Sequence, residues 1–549
     1  MSVTSMLPLG QLLLQEGLVT QAQIDVALRV QAVDKRFLGE ILVAQDFLSS
    51  AQIAQAVAKQ QGVPYVVLHE VVIDTALLRL LPREMAQAQQ LLPLFVREGE
   101  LWVAAKDLHD IALLDYLHKR TEREVRYVMC DAVALAYYIQ LHYYQLEDPI
   151  EARIERAIAF YETSQAIDAV ALVDWVLQLA IKERATDIHL TPEVNVTHLS
   201  MRIDGVLHHY YALPSAWHAQ LIARIKILSG LDIATQRLPQ DGAFSYTFLQ
   251  HPYDIRTSTL PTHKGENGVI RLLGRDATLY DKEALGVSGT RYATIVDTLR
   301  KPYGLILVVG PTGSGKTTTL YWALRHLDSL RQNILTVEDP IEYRFSFIKQ
   351  TQINEKSGYT FAKAIKHFMR QDPDVMLVGE VRDEETAALA LRASITGHLV
   401  LSTLHANSAT TAITRLQDMG VAPQMMATAL LGVLAQRLVR KVCPHCARPT
   451  TLTPEDCQRH AIDVRHVGAP IVEAVGCEAC HGSGYKGRMA IVEFMPIDER
   501  LRAMIAQGID AITIEHHLAA HGFVSFKMHG IERVLEGTTT LAEVARVAV

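Results

Sequence analysis

A chain of 549 residues with 49% hydrophobic content is long for one domain and can fill roughly three or four cores. Its net charge of −7 gives no general attraction to nucleic acid or anionic lipid. No apolar run approaches a membrane span and Met1 to Leu14 carries no basic leader, so a cytoplasmic chain with no direct membrane span and no nucleic-acid partner is expected.

The elements begin with an internal repeat. Leu9 to Gln31 aligns without gaps on Leu38 to Gln60. In each copy a hydroxyl residue precedes a helical pattern at capping-box spacing, Thr20 with Gln23 and Ser49 with Gln52. Ile24, Ala27 and Leu28 are expected on one face, as are Ile53, Ala56 and Val57. Each copy thus predicts a short helix, a turn and a longer helix, a duplicated packing unit. Leu92–Phe95 and Leu101–Ala105 predict short strands, and Ile111–His118 and Ala132–Tyr144 predict helices. Polar Gln145 to Arg156, with Pro149 inside it, predicts a linker, placed at 146–166 between an N-terminal domain 1–145 and a second domain 167–290.

The second domain opens on a helical pattern, Asp168 to Arg184. Strand patterns follow at Thr186–Leu190, His198–Ile203 and Gly205–Tyr210, the last two joined by an Asp204-Gly205 hairpin turn. A helix at Leu221–Leu228 leads into a polar segment, Ser229 to Gly242. Asp254–Thr262 and Val269–Leu273 complete a sheet with several arginines on its strands, in an α/β module.

The catalytic signal lies in a third region, 291–440. Gly310-Pro311-Thr312-Gly313-Ser314-Gly315-Lys316-Thr317 satisfies the phosphate-loop pattern at every fixed position. Gly304–Val309 ahead of it predicts a buried parallel strand, and Thr317–His326 behind it a helix. The three glycines let backbone N–H groups approach phosphate oxygens, and the helix N-terminus adds partial positive charge. Lys316 is suited to the β- and γ-phosphates of ATP and the Thr317 hydroxyl to magnesium. Three further strands, Asn333–Val337, Asp374–Val378 and the one within Gly397–His405, each deliver a polar residue toward the same edge. Hydrolysis needs one carboxylate to orient or deprotonate water and another to hold magnesium, and Glu338 and Glu380 are the candidates, in either order.

Cys443-Pro-His-Cys446 and Cys477-Glu-Ala-Cys480 supply four thiolates, which suits a closed structural zinc site in a module at 441–490. A redox pair is the alternative, but it needs no second copy. The separation of the pairs requires a small subdomain between them, and Gly482, Gly484 and Gly487 suit a tight knuckle. Cys130 and Cys457 read as ordinary thiols. Residues 491–549 alternate helical patterns, with Gly508, Gly522 and Gly530 as breaks.

Motif by motif, this chain resembles the type II secretion and type IV pilus assembly ATPases. Asp187-Ile-His189, Arg202-Ile-Asp-Gly205, Arg237-Leu-Pro-Gln-Asp-Gly242 and Ser258-Thr-Leu-Pro-Thr262 resemble that family's second N-terminal domain. Glu338-Asp-Pro-Ile-Glu342 resembles its aspartate box, Gly379-Glu-Val-Arg-Asp383 its atypical Walker B, and Thr396 to Asn407 its histidine box. The resemblance implies a RecA-like ATPase domain, preceded by an α+β, PAS-like second N-terminal domain and a tandem-repeat helical N-terminal domain, with a tetracysteine zinc subdomain. It implies that Arg256 and Arg271 reach the nucleotide, that His405 senses the γ-phosphate and that His398 is structural. It implies a homohexamer that drives pilus or pseudopilus assembly through an inner-membrane platform protein, lying peripherally at that membrane. A retraction motor or a conjugation-type translocase is the alternative; retraction motors usually lack the repeat and the four cysteines. Some family members bind cyclic di-GMP through the N-terminal repeat. Those usually carry Arg before the first Leu-Gly, where this chain has Pro8 and, in the second copy, Phe37, so docking is favoured over dinucleotide binding.

Overall fold

The structure, a computed structural model, describes residues 7–106, 111–164, 167–273 and 285–548. Within the expected second domain, residues 274–284 lie outside the described residues. The chain divides into two compact units, Met1–Asp276 and Ala277–Val549.

In the first unit the repeat forms α1 (Leu9–Gln15), α2 (Gln21–Asp34), α3 (Leu38–Ala44) and α4 (Ser50–Gln61). Both capping boxes are made. Thr20 Oγ1 accepts from Gln23 N at 3.3 Å and Gln23 Oε1 from Thr20 N at 2.8 Å, and Ser49 and Gln52 repeat the pattern at 3.1 and 2.9 Å. Ile24 and Ala27 are buried as expected, whereas Leu28 is 47% exposed. The small core, filled by Leu13, Val19, Ile41, Leu42 and Leu48, takes Ile24 and Ala27 of α2, with Val30 packed against it. There follow α5 (Arg83–Gln89), β1 (Leu91–Arg97), β2 (Glu100–Ala105), α6 (Ile111–Thr121), β3 (Val125–Met129) and α7 (Ala132–Glu147). The strands form one sheet in that order, with β3 an addition to the sequence expectation.

Most of the expected linker is helical up to Ser164, and its last two residues, 165–166, lie outside the described residues. Only Asp148 and Pro149 separate α7 from α8 (Ile150–Ser164). Proline is tolerated at a helix start, where its missing N–H would have no partner. Ile150 and Ile154, one turn apart, are 0% exposed and share a core with Leu172, Leu177 and Trp217. Polarity misled because only one stripe of α8 is apolar. Helix α7 in turn has two apolar faces. Leu135, Ile139 and Tyr143 face the core beneath β1–β3, and Tyr137, Leu141 and Tyr144 join the next one.

That next core lies under a six-stranded antiparallel sheet, in the order β6-β5-β4-β9-β8-β7. Its elements are α9 (Ala169–Lys182), β4 (Asp187–Pro192), β5 (Val196–Ile203), β6 (Val206–Pro214), α10 (His218–Leu228), β7 (Gln240–Phe248), β8 (His251–Thr262) and β9 (Gly265–Leu273). Alternation along the strands sends Ile188, Leu190, Met201, Ile255 and Ile270 inward. The outward residues align across the sheet: Arg202 opposite Asp187, Asp187 opposite Arg271, and Arg271 opposite Arg256. The polar segment after α10 gives way at Gln240 to β7, an edge strand not foreseen.

The second unit is built on α11 (Gly289–Leu299), β10 (Gly304–Val309), α12 (Lys316–Arg325), β11 (Ile334–Glu338), β12 (Lys349–Gln352), α13 (Phe361–Phe368), β13 (Val375–Val378), α14 (Glu384–Ile395), β14 (Leu399–Leu404), α15 (Thr411–Asp418), α16 (Pro423–Ala429) and β15 (Leu430–Val442). These strands run parallel in the order β12-β11-β13-β14-β10-β15. Both faces are covered. Leu305, Leu307 and Val309 pack into one core, and Ile306 and Val308 into the other. Continuous apolar strands of this kind mark a parallel sheet buried on two sides.

The expected small subdomain is β16 (Ala447–Thr451), α17 (Pro454–His460) and β17 (Pro470–Ala474). Strand β18 (Tyr485–Pro496) then returns antiparallel along β15 to close the sheet edge. The chain ends in α18 (Glu499–Ala506), α19 (Ala511–Ala520), α20 (Phe526–Leu535) and α21 (Leu541–Val547). Gly508 and Gly522 break helices, but Gly530 lies inside α20. A Cβ there would meet Val544 Cγ1 at 2.5 Å, so this glycine permits close packing of α20 on α21. Among the described residues no helix is long and apolar enough to cross a membrane.

Candidate active site

The phosphate loop joins β10 to α12 as expected. Gly310 and Gly315 have φ of 153° and 87°. A Cβ on Gly310 would lie 2.5 Å from Gln436 O, and one on Gly315 would lie 2.7 Å from Gln436 Nε2. Backbone shape and tight surroundings therefore both require glycine. Helix α12 starts with no side-chain cap, so its first amides face the loop. Lys316 Nζ donates to the carbonyls of Gly310 and Pro311 at 2.9 and 3.1 Å. Burial lowers its pKa, opposed by the charge of Glu380. Pro311, Thr312 and Gly313 are exposed, Ser314 is buried with its Oγ unpartnered, and Thr317 occupies the first turn of α12. Such a loop of glycines, uncapped amides and one lysine fits a nucleotide's phosphates.

Around the lysine the parallel strands end together. Just beyond β13, Glu380 pairs with Arg382, and its other oxygen lies 3.8 Å from His405 Nε2. Burial lowers the His405 pKa and the charge of Lys316 lowers it further, opposed by the charge of Glu380. Asp383 spends its carboxylate on capping α14, accepting from Thr386 N at 2.8 Å. His398 Nδ1 lies 2.9 Å from Ala393 O, at the turn between α14 and β14.

Glu338, the last residue of β11, is placed differently. It is 4% exposed. One oxygen accepts from Tyr321 Oη, and the other from Thr336 Oγ1 at 2.5 Å and Gln350 Nε2 at 3.1 Å. The structure thus gathers Lys316, Glu380 and His405 into one electrostatic group and encloses the Glu338 carboxylate beside them. Arg256 and Arg271 lie in the other unit, side by side on β8 and β9. Arg271 Nε donates to Asp187 Oδ1 at 2.8 Å.

Sequence reading missed Tyr321, Arg382 and Gln436. Gln436, 2% exposed on β15, lines the phosphate loop and accepts from Thr319 Oγ1. Its signal was present: a lone amide in an apolar strand needs a partner.

The four cysteines converge, with all four sulfurs within 4.8 Å of one another. Contacts of 3.9, 3.8 and 3.7 Å link Cys443 to Cys477, Cys446 to Cys480 and Cys477 to Cys480. A tetrahedron with Zn–S bonds of ~2.3 Å has edges of ~3.8 Å, so the donor set fits zinc. Backbone amides of Gly476, Cys477 and Gly484 donate to these sulfurs at 3.1–3.3 Å. Against burial, which raises it, the amides of Cys477 and Gly484 bring the Cys480 thiol down to about 7. Cys130 and Cys457 are buried away from the cluster.

Comparison with known proteins agrees with this architecture. Residues 162–546 match the family model of the type II/IV secretion system protein, and residues 61–149 that of the MshEN domain. The chain is 35% identical to the type IV pilus assembly ATPase PilB of Myxococcus xanthus over 98% of both chains. It is 45% identical to type II secretion system protein E of Dickeya dadantii, over 69% of this chain and 75% of that one. It is also similar to the crystal structure of the pilus retraction motor PilT with bound ADP, at 23% identity and a TM-score of 0.46, over 68% of this chain and 95% of the other. A parallel sheet covered on both faces, an intact phosphate loop, a family-model match over most of the chain and a match over 98% of both chains to a named ATPase converge on one conclusion: the chain is an ATPase of the type II/IV secretion system family.

Proposed function

We propose that this chain is the hexameric motor that assembles a type IV pilus, acting through an inner-membrane platform protein. The alignment over 98% of both chains with a pilus assembly ATPase carries this reading, because it includes the N-terminal region. Assembly of a type II secretion pseudopilus is the second reading, favoured by the 45% identity to a secretion protein E.

In this proposal the amides of Gly310–Thr317 and the Lys316 ammonium hold the phosphates of ATP. Thr317 and one of the two glutamates would hold magnesium, which would supply neutralisation of phosphate charge. The other glutamate orients or deprotonates the attacking water. Proximity of Glu380 to Lys316 and His405 supports its place at the γ-phosphate. His405 reports the γ-phosphate, and Arg256 and Arg271 offset the charge that develops on it. Cys443, Cys446, Cys477 and Cys480 hold a structural zinc. The N-terminal repeat serves docking, and that choice is supported by Pro8 and, in the second copy, the 80% exposed Phe37, which stand where the family members that bind cyclic di-GMP usually carry Arg.

Deleting the chain in its own host tests the reading. Loss of surface pili with protein secretion intact is the expected result. Loss of secretion with pili intact would move the proposal to the pseudopilus.

A further inference from the structure

One buried hydroxyl joins the phosphate-loop helix to the carboxylate of β11. Tyr321, on α12, is 1% exposed. Its Oη donates to Glu338 Oε2 and accepts from the amides of Glu342, at 3.1 Å, and Tyr343. The ring has its own reasons to be there, packing edge-on to Phe345 with centroids 5.2 Å apart. A phenylalanine would satisfy that packing. The hydroxyl would cost desolvation in such surroundings unless its bonds returned it. Among the described residues Glu338 makes no ion pair, so neutral donors alone hold its carboxylate: Tyr321, Thr336 at 2.5 Å and Gln350 at 3.1 Å. Thr336 and Gln350 reach it from β11 itself and the neighbouring β12. Tyr321 alone of the three stands on the helix that carries Lys316 and Thr317.

We propose that Tyr321 is a positioning residue for ATP hydrolysis. It holds the Glu338 carboxylate and the backbone of Glu342 in fixed relation to the phosphate-loop helix. A shift of α12 around bound phosphates is thereby passed to the carboxylate and to the segment Glu338–Glu342. The inference rests on the reading that Glu338 serves turnover.

The test is Tyr321→Phe in the full chain, with ATP affinity and turnover measured separately beside Glu338→Gln. Loss of an orienting partner behind a catalytic ligand costs about ten- to a hundredfold in activity. We expect kcat to fall by that factor, with the Kd for ATP changed less than about twofold. Thr336→Val removes a second donor to the same carboxylate without touching α12. It should also lower kcat and spare Kd, and it stands in if Tyr321→Phe does not fold. Unchanged kcat in Tyr321→Phe while Glu338→Gln is inactive overturns the inference. So does a loss of ATP affinity that matches the loss of turnover, which would place the hydroxyl in service of the loop alone. A fully active Glu338→Gln overturns instead the underlying reading of Glu338.

Discussion

In the sheet built from β10 to β15 both faces are covered, and polar groups appear where the strands stop. In the sheet of β4 to β9 one face packs on a core through Ile188, Met201 and Ile270, and charge runs across the middle of the other as Arg202, Asp187, Arg271 and Arg256. The first arrangement places chemistry by strand length, since a parallel strand buried on both sides has only its C-terminal end to offer a ligand. The second places it by register, since a slip of one residue would turn Arg256 and Arg271 into the core. A side chain at a strand end is thus fixed by the neighbouring loop. A side chain on a sheet face is fixed by the pairing of whole strands.

The sharpest way to break this comparison is at the strand ends. Lys316→Ala should abolish ATP binding, and Glu380→Gln should bind ATP while turnover falls by about a thousandfold or more. Near-normal steady-state hydrolysis by Glu380→Gln would remove it from the reaction.

The sheet face comes next. Arg256→Ala and Arg271→Ala should each lower turnover by about a hundredfold or more, and ATP affinity far less, because the charge they meet develops during reaction. Ser258→Ala, on the same face one row away, should change turnover less than about twofold. Stability separates the two arginines. Asp187 is 6% exposed and bonded to Arg271, so Arg271→Ala should lower Tm, whereas Arg256→Ala should not. Equal turnover of wild type and both arginine variants would leave these residues as sheet-face charges.

A smaller effect probes the far end of β15, which passes the phosphate loop at Gln436 and stops just before Cys443. Elemental analysis should find one zinc per chain. Cys446→Ser should lose it and lower Tm by at least several degrees, because a structural metal contributes folding free energy. Zinc-free protein prepared without chelator would refute the site.

The smallest effect concerns the antiparallel edge of the covered sheet. His529, on α20, is 0% exposed and accepts from Val492 N, in β18, at 3.0 Å. Burial, then the charges of Arg291 and Arg533, push its pKa down to about 4. The unfolded chain binds this proton below about 6.5 and the folded chain only near 4, so stability should fall as pH drops across that window. His529→Gln should flatten that slope in thermal melts. An unchanged slope would assign it to other groups, His142 among them, whose pKa burial also pushes down to about 4.

Local chemistry was legible in the sequence. The phosphate loop, the two capping boxes, the carboxylates after apolar runs and the paired cysteines each depend on residues within a few positions, where backbone geometry follows spacing. Three matters were settled only by tertiary structure. The segment Ile150–Ser164 reads as a polar linker because its apolar stripe is narrow; Ile150 and Ile154 became core only when α9 arrived to cover them. Gly530 reads as a helix break, and the approach of Val544 explains it instead. The hydrogen bonds of Tyr321 to Glu338 and of Thr319 to Gln436 span 17 and 117 residues. No periodicity records such pairs. A buried polar group obliges the fold to supply a partner, and which partner it finds is decided by how the elements pack.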